Sequence, residues 1–264
     1  MKTRLAALAL GVAVALGAMT GCATRKVVLS TSQRVPIRER AEAHFVRAFY
    51  LKPAETNNAT VQARQLAPLL IVEAPDTSTL PDFPATTTHP RIFFQPSRTI
   101  LNGKQHEQMA YWWTYPRNSS RSRGALPAQG VRITLNSDGR PVIWEVLAET
   151  SGAAVIFVAQ SLEAQAAREF GAPLKGRRFA VERSLTDVPD VVVARMIEDG
   201  PVTMGPIIYL RAGTRDVTTV ICRCMDAQAR ELAGQQEYEL TNTRLARGFS
   251  ARALDRKLRL PRDF

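Results

Sequence analysis

The stretch VRITLNSDGRPVIWEVL, residues 131–147, decides the fold class that the sequence predicts. Between Val131 and Leu135 apolar residues alternate with polar ones, which is the pattern of a strand buried on one face. Asn136–Gly139 follows with the Asp and Gly that tight hairpin turns favour, because both tolerate a positive φ. A second apolar run, Pro141–Leu147, forms the returning strand. The sequence therefore predicts a β-hairpin near the start of a compact region.

Further strands and two helices are predicted after this hairpin. Ser161 can cap a helix over Leu162–Phe170, and Gly171 suits its C-terminal end. A second short helix is predicted over Met225–Ala233, ended by Gly234. Apolar runs predict strands at Ala154–Val158, Arg178–Val181, Val191–Ile197, Ile207–Leu210, Val217–Ile221 and Glu237–Leu240.

Two similar helix sequences indicate an internal repeat. Ser161–Ala166 (SLEAQA) aligns with Cys224–Ala229 (CMDAQA), and the preceding turns align after one short gap. We therefore predict two β-β-β-α-β units, about 129–185 and 190–241, related by a pseudo-twofold axis. The predicted fold class over residues 129–241 is α+β, with antiparallel sheet and helices packed on it.

The flanking regions have other patterns. Pro36–Leu51 places apolar residues at three- and four-residue spacing, which predicts an amphipathic helix. Residues 52–128 hold most of the prolines and many threonines, and we expect an extended region that wraps around the core. Residues 242–264 combine basic and apolar positions at helical spacing, which predicts a basic C-terminal helix.

The first 21 residues have the organisation of a secretory signal peptide. Lys2 and Arg4 precede the apolar run Leu5–Leu16, which is too short to cross a bilayer as a helix. The sequence MTGC, residues 19–22, resembles the lipobox of bacterial lipoproteins, with Met in place of the usual Leu. This resemblance implies that Cys22 carries a diacylglyceryl group and becomes the acylated N-terminus of the mature chain.

The resemblance also implies a location in the bacterial cell envelope. Ala23 follows the lipidated cysteine, which favours the outer membrane, with the chain facing the periplasm. Residues 22–35 are polar and are interpreted as a tether between Cys22 and the folded region.

Composition and charge bound the class of protein and its partners. The 264 residues are 45% hydrophobic and 22% charged, which excludes a wholly disordered chain, a collagen and a polytopic membrane protein. The net charge is +11. In an exported protein we expect this charge to meet anionic lipid or an acidic envelope polymer, and not nucleic acid.

Cys222-Arg223-Cys224 is the main candidate for chemistry. Of the three cysteines, these two remain when Cys22 is assigned to lipid. A redox pair or disulfide is one interpretation, because a helix N-terminus lowers a cysteine pKa. A Cu(I) site with Met225 as a third soft ligand is another. The third is structural, since Cys222 lies in an apolar run where a cysteine can fill space in a core.

The densest aromatic cluster is a candidate ligand platform. Flat aromatic faces can stack on sugar rings, but their large apolar area also suits them to anchor a segment to a core. The residues are Tyr111, Trp112, Trp113 and Tyr115.

No known catalytic motif is present in the sequence. It contains no HExxH, G-x-S-x-G, P-loop or G-x-G-x-x-G pattern, and we predict neither a catalytic residue nor a cofactor. We favour a membrane-anchored envelope lipoprotein with a non-enzymatic binding or structural domain. The alternatives are a thiol redox protein or Cu(I) carrier using Cys222 and Cys224, and a hydrolase whose carboxylates the sequence does not identify.

Overall fold

Strands make up most of the folded chain. The computed structural model describes residues 45–55, 59–74, 90–101, 103–114, 128–149, 154–172, 191–212, 214–225 and 229–245. Within these residues, eleven strands form one mixed sheet, accompanied by two short helices and a turn of 3₁₀ helix.

The bounds of the elements are as follows. The strands are β1 (Phe45–Pro53), β2 (Leu69–Glu73), β3 (Arg91–Leu101), β4 (Lys104–Thr114), β5 (Ala128–Leu135), β6 (Pro141–Leu147), β7 (Ala154–Ala159), β8 (Val191–Ile197), β9 (Ile207–Leu210), β10 (Val217–Ile221) and β11 (Ala229–Asn242). The helices are α1 (Val61–Gln65) and α2 (Gln160–Phe170), and the 3₁₀ turn is Thr243–Leu245.

The sheet curls until its two edge strands come together. Its strand order is β10-β9-β2-β1-β11-β3-β4-β5-β6-β7-β8. The pairs β1–β11, β11–β3, β2–β9 and β7–β8 are parallel, and the other neighbours are antiparallel. Across the seam, Arg195 Nη1 of β8 donates to Thr219 Oγ1 of β10 at 3.4 Å. We refer to this nearly closed structure as the rolled sheet.

Alternate side chains of the strands fill the interior of the rolled sheet, as the two-residue period of a strand requires. In β5 the inward residues are Val131, Ile133 and Leu135, which the sequence pattern predicted to be buried. Large aromatic side chains complete this main core, and those of Tyr111, Trp113, Phe157 and Tyr238 are at most 1% exposed.

Two smaller apolar clusters lie on the opposite face of the sheet. One consists of Trp112, Ala110 and Leu147. In the other, the rings of Phe45 and Tyr209 meet edge to face with centroids 5.4 Å apart. Both faces of the sheet are therefore apolar over part of its area.

The hairpin of residues 131–147 forms as the sequence predicts. β5 and β6 pair antiparallel, and Gly139 in the turn has φ 73°. Asn136 Oδ1 accepts hydrogen bonds from the N–H groups of Asp138 at 3.0 Å and Arg140 at 2.9 Å. The strands predicted at β7, β8, β9 and β10 are also confirmed. The strand predicted at Arg178–Val181 lies outside the described residues.

The predicted α+β fold class is wrong, and so is the duplication. One sheet contains strands from both predicted units, and α1 and α2 have only 5 and 11 residues. β5, β6 and β7 are neighbours, whereas β8 lies at one edge of the sheet and β9 and β10 at the other. The two halves therefore share neither strand order nor a pseudo-twofold relation.

The helix predicted over Met225–Ala233 is wrong because Ala229–Asn242 forms β11. β11 pairs in parallel with β1 and β3, and Gly234 lies against the ring of Phe49, where a Cβ would be 2.8 Å from Cε2. Long-range pairing thus overrides the local helix propensity of this Ala- and Gln-rich sequence.

The helix predicted over Pro36–Leu51 is wrong over Phe45–Leu51, which belongs to β1, and residues 36–44 lie outside the described part. The register of β1 shifts between Ala48 and Phe49. Phe45 and Ala48 lie in an outer cluster, whereas Phe49 lies in the main core. The apolar residues that the sequence spaces like a helix therefore lie on both faces of one strand. Residues 52–128, predicted to be an extended wrap, contribute α1, β2, β3 and β4.

Candidate functional site

One end of the rolled sheet gathers most of the connecting segments. By their registers, β5, β7, β8 and β10 end there, while β2, β6 and β9 begin there. We refer to it as the upper end. It carries α1, the turn 136–140, the start of α2, the segment 198–206 and the residues 222–224.

Helix α1 and the turn after it close part of the upper end. Two buried hydroxyls bind backbone carbonyls there: Tyr111 Oη donates to Ala63 O at 2.8 Å, and Tyr238 Oη donates to Pro68 O at 2.5 Å. Ala63 O lies in the last turn of α1, where carbonyls lack a partner within the helix, and Pro68 O lies in the segment after α1. Each carbonyl is satisfied by one of the two hydroxyls. Burial raises the pKa of both tyrosines well above the ordinary value.

Two hydrogen bonds hold the segment 198–206 against Gln65 at the end of α1. Gly205 N–H donates to Gln65 O at 2.8 Å, and Gln65 Nε2 donates to Thr203 O at 2.7 Å. A Cβ on Gly205 would overlap the carbonyl oxygens of Leu66 and Ala67. Only a glycine allows this close approach of two backbones.

Arg223 brings a guanidinium group to the same place. Its Nη2 donates to Ala67 O, whereas its buried Nε has no hydrogen-bond partner among the described residues. Burial lowers the pKa of Arg223, and the electrostatic interactions with Tyr238, Tyr50 and Tyr111 oppose that shift. The group is therefore a partly buried cation whose Nε–H is buried without an acceptor among the described residues.

A disulfide bond joins the residues on either side of Arg223. Cys222 and Cys224 have their Cα atoms 5.4 Å apart, and Met225 N–H donates to Cys222 O at 3.2 Å. Cys222 is 7% exposed and belongs to the main core, whereas Cys224 is exposed. The bond thus links the interior to the surface and fixes the backbone that carries Arg223.

A cleft of about 210 Å³ opens beside the disulfide. Trp144, the disulfide and residues of the segment 199–206 line it, and its charged groups are Arg140, Arg223 and Asp199. Much of the remaining lining is proline, valine and methionine side chains. The cleft is therefore apolar with a few charged groups, as small-molecule sites usually are.

Trp144 supplies a second buried donor without a partner. The residue is 4% exposed, and its indole Nε1 makes no hydrogen bond with any described residue. A buried N–H without an acceptor costs about 1–3 kcal/mol, so native proteins provide a partner in nearly every case. Trp144 and Arg223 are both among the residues that line the cleft.

A larger groove of about 1050 Å³ shares Arg140 and Asp199 with the cleft. It runs between the turn 136–140 and α2, and it also includes His106, whose Nδ1 lies 3.0 Å from Leu135 O. Its basic and acidic side chains are mixed: Lys104, Arg140 and Arg168 with Asp138, Glu169 and Asp199.

Asp199 caps α2, a role that the sequence assigned to Ser161. The N-cap residue is Ala159, which makes no side-chain cap. The Asp199 carboxylate instead accepts hydrogen bonds from Ser161 N–H at 2.7 Å and Ser161 Oγ at 2.5 Å. An acid from the end of β8 therefore stabilises the helix start. The predicted end at Gly171, which has φ 80°, is confirmed.

The candidate residues predicted from the sequence do not form one site in the structure. Cys222, Cys224 and Met225 are together at the upper end, with both sulfur atoms of the cysteines in the disulfide. Tyr111, Trp112 and Trp113 of β4 are buried. Tyr111 and Trp113 pack in the main core, and Trp112 packs in the smaller cluster on the opposite face. Cys22 and Tyr115 lie outside the described residues. Within the described part, no three His, Cys, Asp or Glu side chains gather to hold a metal ion.

Sequence reasoning missed Trp144, Arg140 and Asp199. The alternation of β6 already points Trp144 inward, beside Val142 and Val146. No local signal brings the segment 199–206 and the disulfide to that side chain, because the pairings of β9 and β10 that do so are long-range.

Comparisons with other proteins give no relative. No protein-family model matches the chain, and no similar protein was found among curated proteins or solved structures. Of the helices within the described residues, none is long and apolar enough to cross a membrane.

Proposed function

We propose that this chain is a lipid-anchored protein of the bacterial cell envelope whose rolled sheet binds a small ligand without catalysing a reaction. The cleft beside the disulfide carries the binding part of this proposal. It combines apolar walls with three charged residues, Arg140, Arg223 and Asp199. Such a site can hold and orient a molecule by hydrogen bonds and burial.

The anchor part of the proposal rests on residues 19–22 and their resemblance to a lipobox. Acyl chains on Cys22 would hold the chain at a membrane, because more than one chain gives stable anchoring. Ala23 favours the outer membrane, and the basic residues of 242–264 would favour anionic lipid or an acidic polymer as a further partner.

Metabolic labelling tests the anchor. Cells expressing the wild type should incorporate a clickable palmitate into the chain, and Cys22→Ala should remain unlabelled and unprocessed. Cys224→Ala is the matched control, since it removes a cysteine of the disulfide and should keep the label. A wild-type chain without label would contradict the lipoprotein assignment.

Native mass spectrometry tests the binding function. The full chain, extracted in detergent and incubated with the small molecules of an envelope extract, should retain an added mass. Arg140→Gln should lose much of it, because this substitution at an exposed position removes a charge from the lining of the cleft. Arg98→Gln, an exposed substitution on β3 outside both cavities, should keep it. A wild type that retains nothing would contradict this function.

Thiol–disulfide exchange is a second candidate, favoured by the exposure of Cys224 and the burial of Cys222. A thiolate of a partner dithiol would attack Cys224 Sγ, form a mixed disulfide and release Cys222 as the thiolate. The second thiolate of the partner would then attack the sulfur of the partner's first cysteine in the mixed disulfide and release Cys224 as the thiolate. The partner leaves oxidised, and both cysteines are reduced and take up protons. Nearby guanidinium groups stabilise thiolates.

A dithiol peptide distinguishes this candidate from the binding function. Exchange predicts oxidation of the peptide by one equivalent of wild-type protein and none by Cys224→Ser. A Cu(I) carrier would first require the reduced form, with Met225 as a third sulfur ligand, and a Cu(I) titration of reduced protein tests it. A protein that neither oxidises the peptide nor takes up Cu(I) would contradict both thiol functions.

A further inference from the structure

We propose that the Cys222–Cys224 disulfide is a redox switch that controls how rigidly one wall of the cleft is held. While the bond is intact, it keeps Arg223 against the carbonyl of Ala67. Its reduction releases this contact and loosens α1 together with the segment 198–206. The switch is independent of both proposed functions, since it requires neither a particular occupant of the cleft nor a particular thiol partner.

The disulfide constrains the backbone of Arg223 directly. The bond joins positions 222 and 224, so Arg223 is the residue inside the ring that the bond closes. On the other side of the ring, Met225 N–H donates to Cys222 O at 3.2 Å. Breaking the disulfide therefore returns conformational freedom to the backbone that carries the guanidinium group.

The guanidinium group lies in surroundings that do not favour its charge. Burial lowers the pKa of Arg223, because removal from water penalises the charged form. None of the ion pairs between described residues includes Arg223, and its buried Nε–H has no acceptor among those residues. Its Nη2 donates to Ala67 O. A cation held by so few partners gains hydration when its backbone is freed, so the constraint is needed to keep it in place.

The contact with Ala67 lies where α1 supports the wall of the cleft. Ala67 is buried in the main core two residues after the end of α1. Gln65, the last residue of α1, holds the segment 198–206 by two hydrogen bonds, and Leu69 N–H donates to Pro206 O at 2.9 Å. Much of the same segment lines the cleft. Loosening the chain around Ala67 therefore loosens this wall.

A dithiol can reach and operate the switch. Cys224 is exposed, and both cysteines line the cleft. The dithiol supplies two electrons: the bond between Cys222 Sγ and Cys224 Sγ breaks, a bond forms between the two sulfur atoms of the dithiol, and its two protons pass to the cysteines. A disulfide of another molecule reverses the reaction.

Hydrogen–deuterium exchange of the full chain in detergent measures the effect. The reporters are four hydrogen-bonded N–H groups in or beside α1, those of Leu66, Ala67, Leu69 and Gly205. The hairpin 131–147 is the reference, because a loss of overall stability raises exchange in both places. On reduction with dithiothreitol, exchange at the reporters should rise at least about fivefold more than exchange in the hairpin, the size of one lost hydrogen bond.

Substitution of Arg223 tests whether this residue carries the effect. Arg223→Met keeps the disulfide and a long side chain but removes every N–H donor of the guanidinium group. The oxidised variant should already show the increase of about fivefold at the reporters relative to the hairpin. Its reduction should then raise exchange at the reporters and in the hairpin equally. If this variant loses the protection of the hairpin, Arg223→Lys replaces it, because one ammonium group cannot reproduce the planar guanidinium.

Arg140→Met is the matched control. Arg140 lines the same cleft from the turn 136–140, and its side chain is exposed. This variant should respond to reduction as the wild type does. Mass measurement after alkylation with iodoacetamide verifies that the disulfide is present in the oxidised samples and absent from the reduced ones.

Four outcomes would overturn the inference. The first is a wild type isolated without the disulfide. The second is an equal increase in exchange at the reporters and in the hairpin when the wild type is reduced. The third is an oxidised Arg223 variant that exchanges as the oxidised wild type does. The fourth is an Arg223 variant in which reduction still raises exchange at the reporters beyond that in the hairpin.

Discussion

At the scale of the residue, Cys222 and Cys224 share one bond but have different surroundings. Cys222 packs in the main core with 7% of its surface exposed, whereas Cys224 is exposed. The burial of Cys222 is what the structural interpretation expects, whereas the bond between the two cysteines is what the redox or disulfide interpretation expects. The helix predicted directly after Cys224, over Met225–Ala233, is not found among the described residues, where Ala229–Asn242 is a strand.

Serine substitutions should reveal this asymmetry. Either change removes the disulfide, which closes a very short loop and contributes about 1–2 kcal/mol to the free energy of unfolding. Cys222→Ser should lose a further 1–3 kcal/mol or so, because it buries a hydroxyl in the core. Urea unfolding of both variants measures the difference. The reduced wild type is the control and should match Cys224→Ser, and equal losses in both variants would contradict the asymmetry.

Buried tyrosines make the stability depend on alkaline pH. Burial raises the pKa of Tyr111 and Tyr238 above the ordinary value of about 10. Above pH 10 or so the unfolded chain releases protons that the folded chain retains, so stability is full below this pH and falls as the pH rises further. The slope is at most about 1.4 kcal/mol per pH unit for each tyrosine.

Phenylalanine variants isolate this effect. Tyr111→Phe and Tyr238→Phe should each lose about 1 kcal/mol at neutral pH, because each removes a hydrogen bond to a carbonyl of the α1 region. Between about pH 10 and 11 their unfolding free energy should fall less steeply than that of the wild type. Urea unfolding at several pH values measures the slopes, and parallel curves would contradict the assignment.

At the scale of the element, the attachment of α1 to the segment 198–206 depends on Gly205. Its backbone approaches the carbonyls of Leu66 and Ala67 so closely that a Cβ would overlap them. The same approach allows the hydrogen bond from Gly205 N–H to Gln65 O. A side chain here must push the two segments apart, and α1 with them.

Gly205→Ala should therefore lose about 2–3 kcal/mol of unfolding free energy, the magnitude of an overpacked site. Gly200→Ala is the matched control in the same segment, where the nearest atom, Val202 O, would be 3.4 Å from the new Cβ. That variant should lie within about 0.5 kcal/mol of the wild type. Thermal and urea unfolding compare the two, and similar losses would contradict the close packing.

The elements also show what the sequence can predict. β5, its turn and β6 were predictable because local alternation and turn residues determine a hairpin. β11 was not, because its Ala- and Gln-rich start has helix propensity and becomes a strand only between β1 and β3. In β1, apolar residues at helical spacing lie on both faces of a strand that pairs with β2 and β11. Long-range pairing, which a local pattern does not contain, decided both cases.

At the scale of the whole molecule, the candidate site depends on closure of the sheet. The turn 136–140 lies in the hairpin of β5 and β6, the segment 199–206 joins β8 to β9, and the disulfide follows β10. These strands occupy opposite ends of the strand order and meet when the sheet curls. Local patterns indicate the inward direction of Trp144 and the apolar surroundings of Cys222, but they do not indicate the cleft that both residues line.

The topology also predicts that residues 129–264 do not fold alone. The sequence predicted a compact domain at 129–241, but β11 has only β1 and β3 as neighbours, and β9 pairs with β2 as well as β10. Without residues 45–114, β11 loses both neighbours, and the pair β9–β10 loses β2 and keeps only its contact with β8 across the seam. Hydrophobic side chains that face β1 to β4 would then be exposed to water.

Circular dichroism and urea unfolding of two chains test this prediction. Residues 23–264 should show near-ultraviolet signals from packed aromatic residues and one cooperative transition, as a single core requires. Residues 129–264 retain Trp144, Phe157 and Tyr238 but should show neither feature, because these side chains lose the opposite wall of the core. A cooperative transition in the shorter chain would restore the independent domain and reject the pairing of β11 with β1 and β3.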